Sequence, residues 1–198
     1  MATTKTSLHW KGQDLAFRGP KTGVQNLLAT AWKVKPGHAK QLREAMARVS
    51  VINSNPDRVN TVFIPTGVHE AILSIWDNDQ QFWFCVSFDT PFDPYMEDIF
   101  RFSNKGSFHY DVFQHLEGGP VDMGVTQETW TADDFKTMVL THEVETLAFL
   151  STSPDVTTAE TLKGQRLLKA FQQVLDNPDA AAALQHPALK PLLDLASD

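Results

Sequence analysis

Cysteine is all but absent from this chain. Cys85 is the single one, so no disulfide can close within the molecule and a packed core has to hold it. It sits in the middle of an apolar run with no basic neighbour to lower its pKa, which reads as an inert, buried thiol. Long apolar runs are missing too. No segment reaches the ~18 residues that a membrane helix needs, and the opening MATTKTSLHWKGQ has no apolar stretch of signal-peptide type, which gives the expectation of a cytoplasmic protein with no membrane partner. Basic residues are outnumbered, 17 Lys and Arg against 24 Asp and Glu, for a formal charge of -7. That balance argues against nucleic acid as a partner. P-loop, GxGxxG, GxSxG, HExxH and CxxC patterns are also lacking. This removes the nucleotide-dependent and hydrolytic classes that carry such motifs, but leaves haem binding and cofactor-free chemistry open.

What the chain has in abundance is phenylalanine and tryptophan, 13 and 5, against two tyrosines. They concentrate in HEAILSIWDNDQQFWFCVSFDTPFDPYMEDIFRF, His69 to Phe102. It reads as strand, tight turn at Asp77-Asn78-Asp79, strand and helix. Phe82, Phe84, Val86 and Phe88 alternate with Trp83 and Cys85, and Leu73 and Ile75 with Ile72 and Trp76. Both faces of the hairpin are therefore apolar, where a sheet with one wet face would alternate with polar residues. Helices should cover one face, and a second copy or a ligand the other.

The rest of the chain supplies the other elements. Residues 1–25 read as a polar N-terminal arm. Leu27 to Val34 reads as a first strand, and Leu42, Ala45, Met46 and Val49 mark an amphipathic helix over 38–52. A strand region over 61–76 is bent at Pro65 and Gly67. A helix from Pro91 buries Phe92, Met96, Ile99 and Phe100, and a short helix follows at 107–116. Thr131 and Asp134 form a capping box that opens a helix to about 142. Val144 to Leu150 reads as a last strand, with helices over 157–176 and 179–196. The expected organisation is an arm at 1–25, a domain at 26–152 and a helical extension of that domain at 153–198. Strand-helix-strand-strand-helix-strand is the ferredoxin-like order: α+β, a four-stranded antiparallel sheet with helices on one face. The bare face then asks for a homodimer.

LLATAWKVKPGHAKQLREAM resembles the opening strand and helix of the dimeric α+β barrel superfamily. VHEAILSIWDNDQQFWFCVSFDTPFDPYMEDI resembles a bacterial family within it that is loosely peroxidase-like, through His69, Ala71, Phe88, Asp89, Tyr95, Glu97 and Asp98. FQHLEGGP, Phe113 to Pro120, is similar to that family's His-containing segment. The resemblance spans residues 27–175. Ile72 stands where relatives often carry Arg. The superfamily holds haem enzymes, cofactor-free oxygenases, polyketide cyclases and non-enzymatic barrels, so the resemblance implies the fold and leaves the chemistry to the site.

His115 is the leading site residue. On a helix over 107–116 it shares a face with Phe108, Val112 and Leu116, and Asp111 is placed to orient its ring. With the resemblance, this gives the expectation of haem b held through His115, with Asp111, Phe108 and Val112 around it, in a small-molecule oxidoreductase. The plain alternative is a partly buried histidine paired with Asp111. His69 and Glu70 begin an apolar strand and point to opposite faces. Whichever faces the cavity could act as a general base in a cofactor-free oxygenase or cyclase. A barrel that binds a small apolar or aromatic molecule without catalysis is the third expectation. Asp89, Asp93, Glu97 and Asp98 read as carboxylates favoured at a helix start. His109 lies on a different face from His115.

Overall fold

A computed structural model describes residues 8–10, 13–53, 55, 57, 59–103 and 106–196. Six strands occur among them: β1 (Leu8–Trp10), β2 (Gln13–Leu15), β3 (Lys21–Thr22), β4 (Gln25–Lys33), β5 (Val68–Trp76) and β6 (Gln81–Phe88). The main helices are α1 (Ala39–Asn53), α2 (Phe92–Phe102), α3 (Ser107–Phe113), α4 (Ala132–Thr141) and α5 (Thr158–Leu175). Where a strand was expected from residue 61, a π-turn over Val59–Phe63 runs into one turn of α-helix at Ile64–Thr66. The chain divides into two compact units between Thr158 and Ala159, six residues beyond the expected boundary. Among the described residues no helix is long and apolar enough to cross a membrane.

The sheet is four-stranded and antiparallel, in the order β3-β4-β6-β5. With α1 between β4 and β5 and α2 after β6, this is the ferredoxin-like α+β arrangement. Its outer position beyond β4 is filled piecemeal. β3 pairs with Gln25 and Asn26. Further along, Ala31 N–H donates to His142 O at 3.1 Å and Val144 N–H to Ala29 O at 2.9 Å. Beyond that, Glu117 N–H donates to Lys33 O at 2.9 Å. The expected strand at Val144 to Leu150 is therefore corrected: only a bridge at Glu143 forms, and Leu147 and Leu150 stand 90% and 92% exposed. The apolar run VETLAFL has β propensity, but past Val144 it forms no ladder with β4.

The hairpin between β5 and β6 follows its sequence. Asp77, Asn78 and Asp79 adopt φ of 53, 50 and 67°, which Asn and Asp tolerate best among non-glycine residues. Phe82, Phe84, Val86 and Phe88 lie on the helix-covered face with Leu28 and Trp32 of β4, all buried. Each such side chain contributes about 1.5–3 kcal/mol by leaving water. Leu42, Ala45 and Val49 of α1, and Phe92, Tyr95, Met96 and Ile99 of α2, close over them. The opposite face carries Ile72, Trp76 and Trp83, each about half exposed.

The described residues 8–10 and 13–25 do not form a loose arm. β1 and β2 pair as a hairpin. Phe17 stacks on Phe92 at 4.7 Å, and Arg18 N–H donates to Glu143 Oε1 at 3.0 Å. The capping box of α4 forms as read, with Asp134 N–H donating to Thr131 Oγ1 at 3.1 Å and Thr131 N–H to Asp134 Oδ2 at 3.0 Å. In the C-terminal unit, short helices follow α5 at Ala181–Leu184 and Lys190–Ala196. Asn177 and His186 cap the turns before them, accepting from Asp179 and Ala188 N–H.

Candidate functional site

Between the covered face of the sheet and α1, α2 and α3 lies a cavity of about 440 Å³. That is the size of a small-molecule site. Leu73, Phe84 and Val86 of the sheet form its floor, with Val49, Ile99 and Phe108 from the helices. The polar groups in the wall are few: Ser103, Ser107 and His109 where α2 passes into α3, and Arg48 and Asp111 on α1 and α3. The turn before α3 is tight because Gly106 has φ of 67° and a Cβ there would lie 2.5 Å from Trp130 Nε1. No other residue permits that approach, and it seats the helix that carries His109.

His109 is 4% exposed, with its ring centroid 4.6 Å from those of Phe108 and Phe135. Burial in this apolar setting pushes its pKa down to about 3, so the ring is neutral near pH 7. Ser103 Oγ lies 3.3 Å from His109 Nδ1 and 3.3 Å from Phe100 O. The carbonyl can only accept, so it takes the hydroxyl proton, and Nδ1–H then donates to Oγ. That chain fixes the tautomer and leaves the Nε2 lone pair available. Tyr95, also in the wall, stacks on Phe88 at 4.0 Å, and burial raises its phenol pKa. It remains a neutral wall residue.

Arg48 and Asp111 join α1 to α3 at the edge of the cavity. Arg48 Nε and Nη2 both donate to Asp111 Oδ2, at 3.0 and 2.7 Å. The other carboxylate oxygen accepts from Gln114 Nε2 at 3.3 Å. Both side chains reach solvent, at 56% and 36% exposure.

The residues expected from the sequence fall in three places. Phe108 and Asp111 line the cavity; Val112 is buried in the core behind it. His115 does neither. α3 ends at Phe113, so His115 leaves the helical face assumed for it, and its Nδ1 lies 3.1 Å from His38 Nδ1. The expected Asp111–His115 pairing is corrected: the Asp111 carboxylate is held by Arg48 and Gln114. A haem carried by His115 inside the cavity does not fit these residues, and no step is drawn through one. His69 occupies a bulge of β5 between Val68 and Glu70. The bulge turns its ring to Asp89, which it meets through Nε2 and Oδ1. Asp89 Oδ2 accepts the Thr158 N–H at 2.8 Å. Asp89 thus accepts a backbone N–H at the N-terminus of α5, as well as lying three residues ahead of α2. Glu70 is exposed and pairs with Ser87. Neither His69 nor Glu70 is in the cavity wall, whose β5 residues are Val68, Ala71 and Leu73. Among the described residues no group of three or more His, Cys, Asp or Glu converges as a metal site would require.

His109, Ser103 and Arg48 are the residues that sequence reasoning passed over. The signal for His109 was present: with Val112 and Phe113 it forms the i, i+3, i+4 stripe of a helix that ends at 113.

No family profile matches the chain, and no curated protein matches it. Among solved structures it is similar to a "putative antibiotic biosynthesis monooxygenase" from Bordetella bronchiseptica, at 15% identity and a TM-score of 0.35, over 50% of this chain and 87% of the other.

Proposed function

We propose that this protein is a small-molecule enzyme of the cofactor-free oxygenase class, binding a largely apolar substrate in the cavity between sheet and helices. One observation carries the reading: a neutral imidazole, His109, held by Ser103 in a largely apolar wall. The substrate donates an O–H or activated C–H to Nε2. Ser103 holds the ring and its tautomer, and the aromatic wall excludes water. An imidazole this far below its ordinary pKa accepts a proton only as an anion forms beside it. The imidazolium and the substrate anion therefore arise together as an ion pair; dioxygen, the oxidant, forms a C–O bond with the anionic carbon and is reduced to a peroxide anion, which takes the proton back from the imidazolium to give the hydroperoxide.

The same low basicity favours a second reading, a barrel that binds such a molecule without transforming it. Calorimetry with naphthol and naphthalene tests the site, and oxygen uptake separates the two readings. Naphthol should bind more tightly than naphthalene, and His109→Phe should erase the difference. Equal affinity for both in the unaltered protein would refute the role given to His109. Oxygen uptake with hydroxyaromatic ligands supports the oxygenase, and saturable binding without it supports the binding protein.

A further inference from the structure

We infer that the ligand of this cavity is an amphipathic anion, an apolar body carrying a carboxylate, and that Arg48 is the residue that selects it. This rests on the cavity being the ligand site. Among the described residues the lining supplies one guanidinium, Arg48, and one carboxylate, Asp111. They are not matched as a closed pair. Arg48 meets a single oxygen, Oδ2, through Nε and Nη2, whereas a fork of five N–H donors is built to hold both oxygens of a carboxylate. Asp111 has a second partner in Gln114, the residue that caps its helix, so it keeps a hydrogen bond when Arg48 turns to a ligand. The pair is more than a third exposed on both sides, and such pairs hold weakly in water. An incoming carboxylate, whose apolar body is already buried, competes well for those donors.

The rest of the seam agrees with an anion arriving here. Lys35 lies 2.7 Å from Asp122 and donates to Gln114 O at 3.1 Å. Both Lys35 and Arg48 act on His115 as nearby positive charges. Lys35 does not line the cavity, but it adds a second positive charge beside the seam, held by Asp122 and Gln114 O. The other polar groups among the described lining residues, Tyr95, Ser103, Ser107 and His109, are neutral. Among the described residues that line the cavity, only Arg48 and Asp111 carry charge, which fixes the orientation: body inward, carboxylate on Arg48.

Calorimetric titration with three probes of one shape tests this: naphthoate, naphthalenemethanol and naphthylmethylamine. The expected order is naphthoate tightest, by about tenfold or more over the alcohol, as charge-assisted bonds exceed neutral ones. Arg48→Leu should bring the two to near equality while the alcohol still binds. Asp111→Asn should widen the preference for naphthoate. Alcohol and naphthoate binding equally, or the amine binding best, overturns the selection by Arg48 and leaves the cavity reading standing. No binding by any of the three, with thermal unfolding confirming a folded protein, overturns both.

Discussion

His38 and His115 face each other through their Nδ1 atoms at 3.1 Å. At that distance one ring donates and the other accepts, so the pair is satisfied with one of the two nitrogens protonated. Burial pushes the His115 pKa down, and the neighbouring His38 pushes it further. In an NMR-monitored titration His115 should therefore protonate below the ordinary 6.5. Replacing the neighbour, His38→Ala, should move that midpoint upward. A midpoint that stays put, or falls, would show that the two rings do not interact in solution.

Acid sensitivity should come chiefly from His109. Its pKa is lowered from 6.5 to about 3. The unfolded chain therefore binds a proton that the folded one refuses between those values. The sign follows directly. Stability from this residue is intact above about pH 6.5 and declines as the pH falls, by up to about 1.4 kcal/mol per unit. Burial lowers the His115 and His142 pKa values in the same direction. Urea unfolding at pH 7, 6 and 5 should show this slope, and His109→Gln should flatten it. An unchanged slope in that variant would place the acid sensitivity elsewhere.

Much of the fold was legible because its signals are local. The Asp77-Asn78-Asp79 turn, the Thr131–Asp134 capping box and the phenylalanine alternation of β6 each carry their own physics over a few residues. The failures share a cause. VETLAFL looks like a strand, yet the edge of β4 that it would cover is taken up by Lys21–Thr22, His142–Val144 and Glu117. His115 looked like a ligand because a helix was drawn three residues too far. With α3 ending at Phe113, the face belongs to His109. The Arg48–Asp111 and His69–Asp89 contacts join residues 63 and 20 positions apart, and no periodicity reports such pairs.

Removing the N-terminal contacts should cost stability rather than leave it unchanged. Phe17 stacks on Phe92 and lies near Phe88, and β3 forms the edge of the sheet. Phe17→Ala should destabilise by about 1–3 kcal/mol, below the range for a fully buried phenylalanine because this one is only partly buried. In a domain of this size that lowers the thermal midpoint by roughly 2–4 °C per kcal/mol. Differential scanning calorimetry checks it, and an unshifted midpoint would mean that the segment is undocked in solution.

The bare face of the sheet gives the last prediction. Phe82 and Phe84 of β6 do not belong to it: they are 0% and 5% exposed beneath the helices. A charge at either would unfold the chain. Ile72, Trp76 and Trp83 are the outward residues, at 55%, 57% and 45% exposure. Ile72 and Trp83 sit on adjoining strands, with Cys85 opposite Ile72 and Ser74 opposite Trp83. If a second copy covers this face, the protein sediments as a dimer at micromolar concentration. Trp83→Asp should then yield a folded monomer, since a buried unpaired carboxylate costs several kcal/mol at an interface, whereas on a solvated face it costs the fold little. Sedimentation equilibrium with circular dichroism reads both quantities. A 22.1 kDa species for the unaltered protein would mean that water, not a second copy, covers the tryptophans.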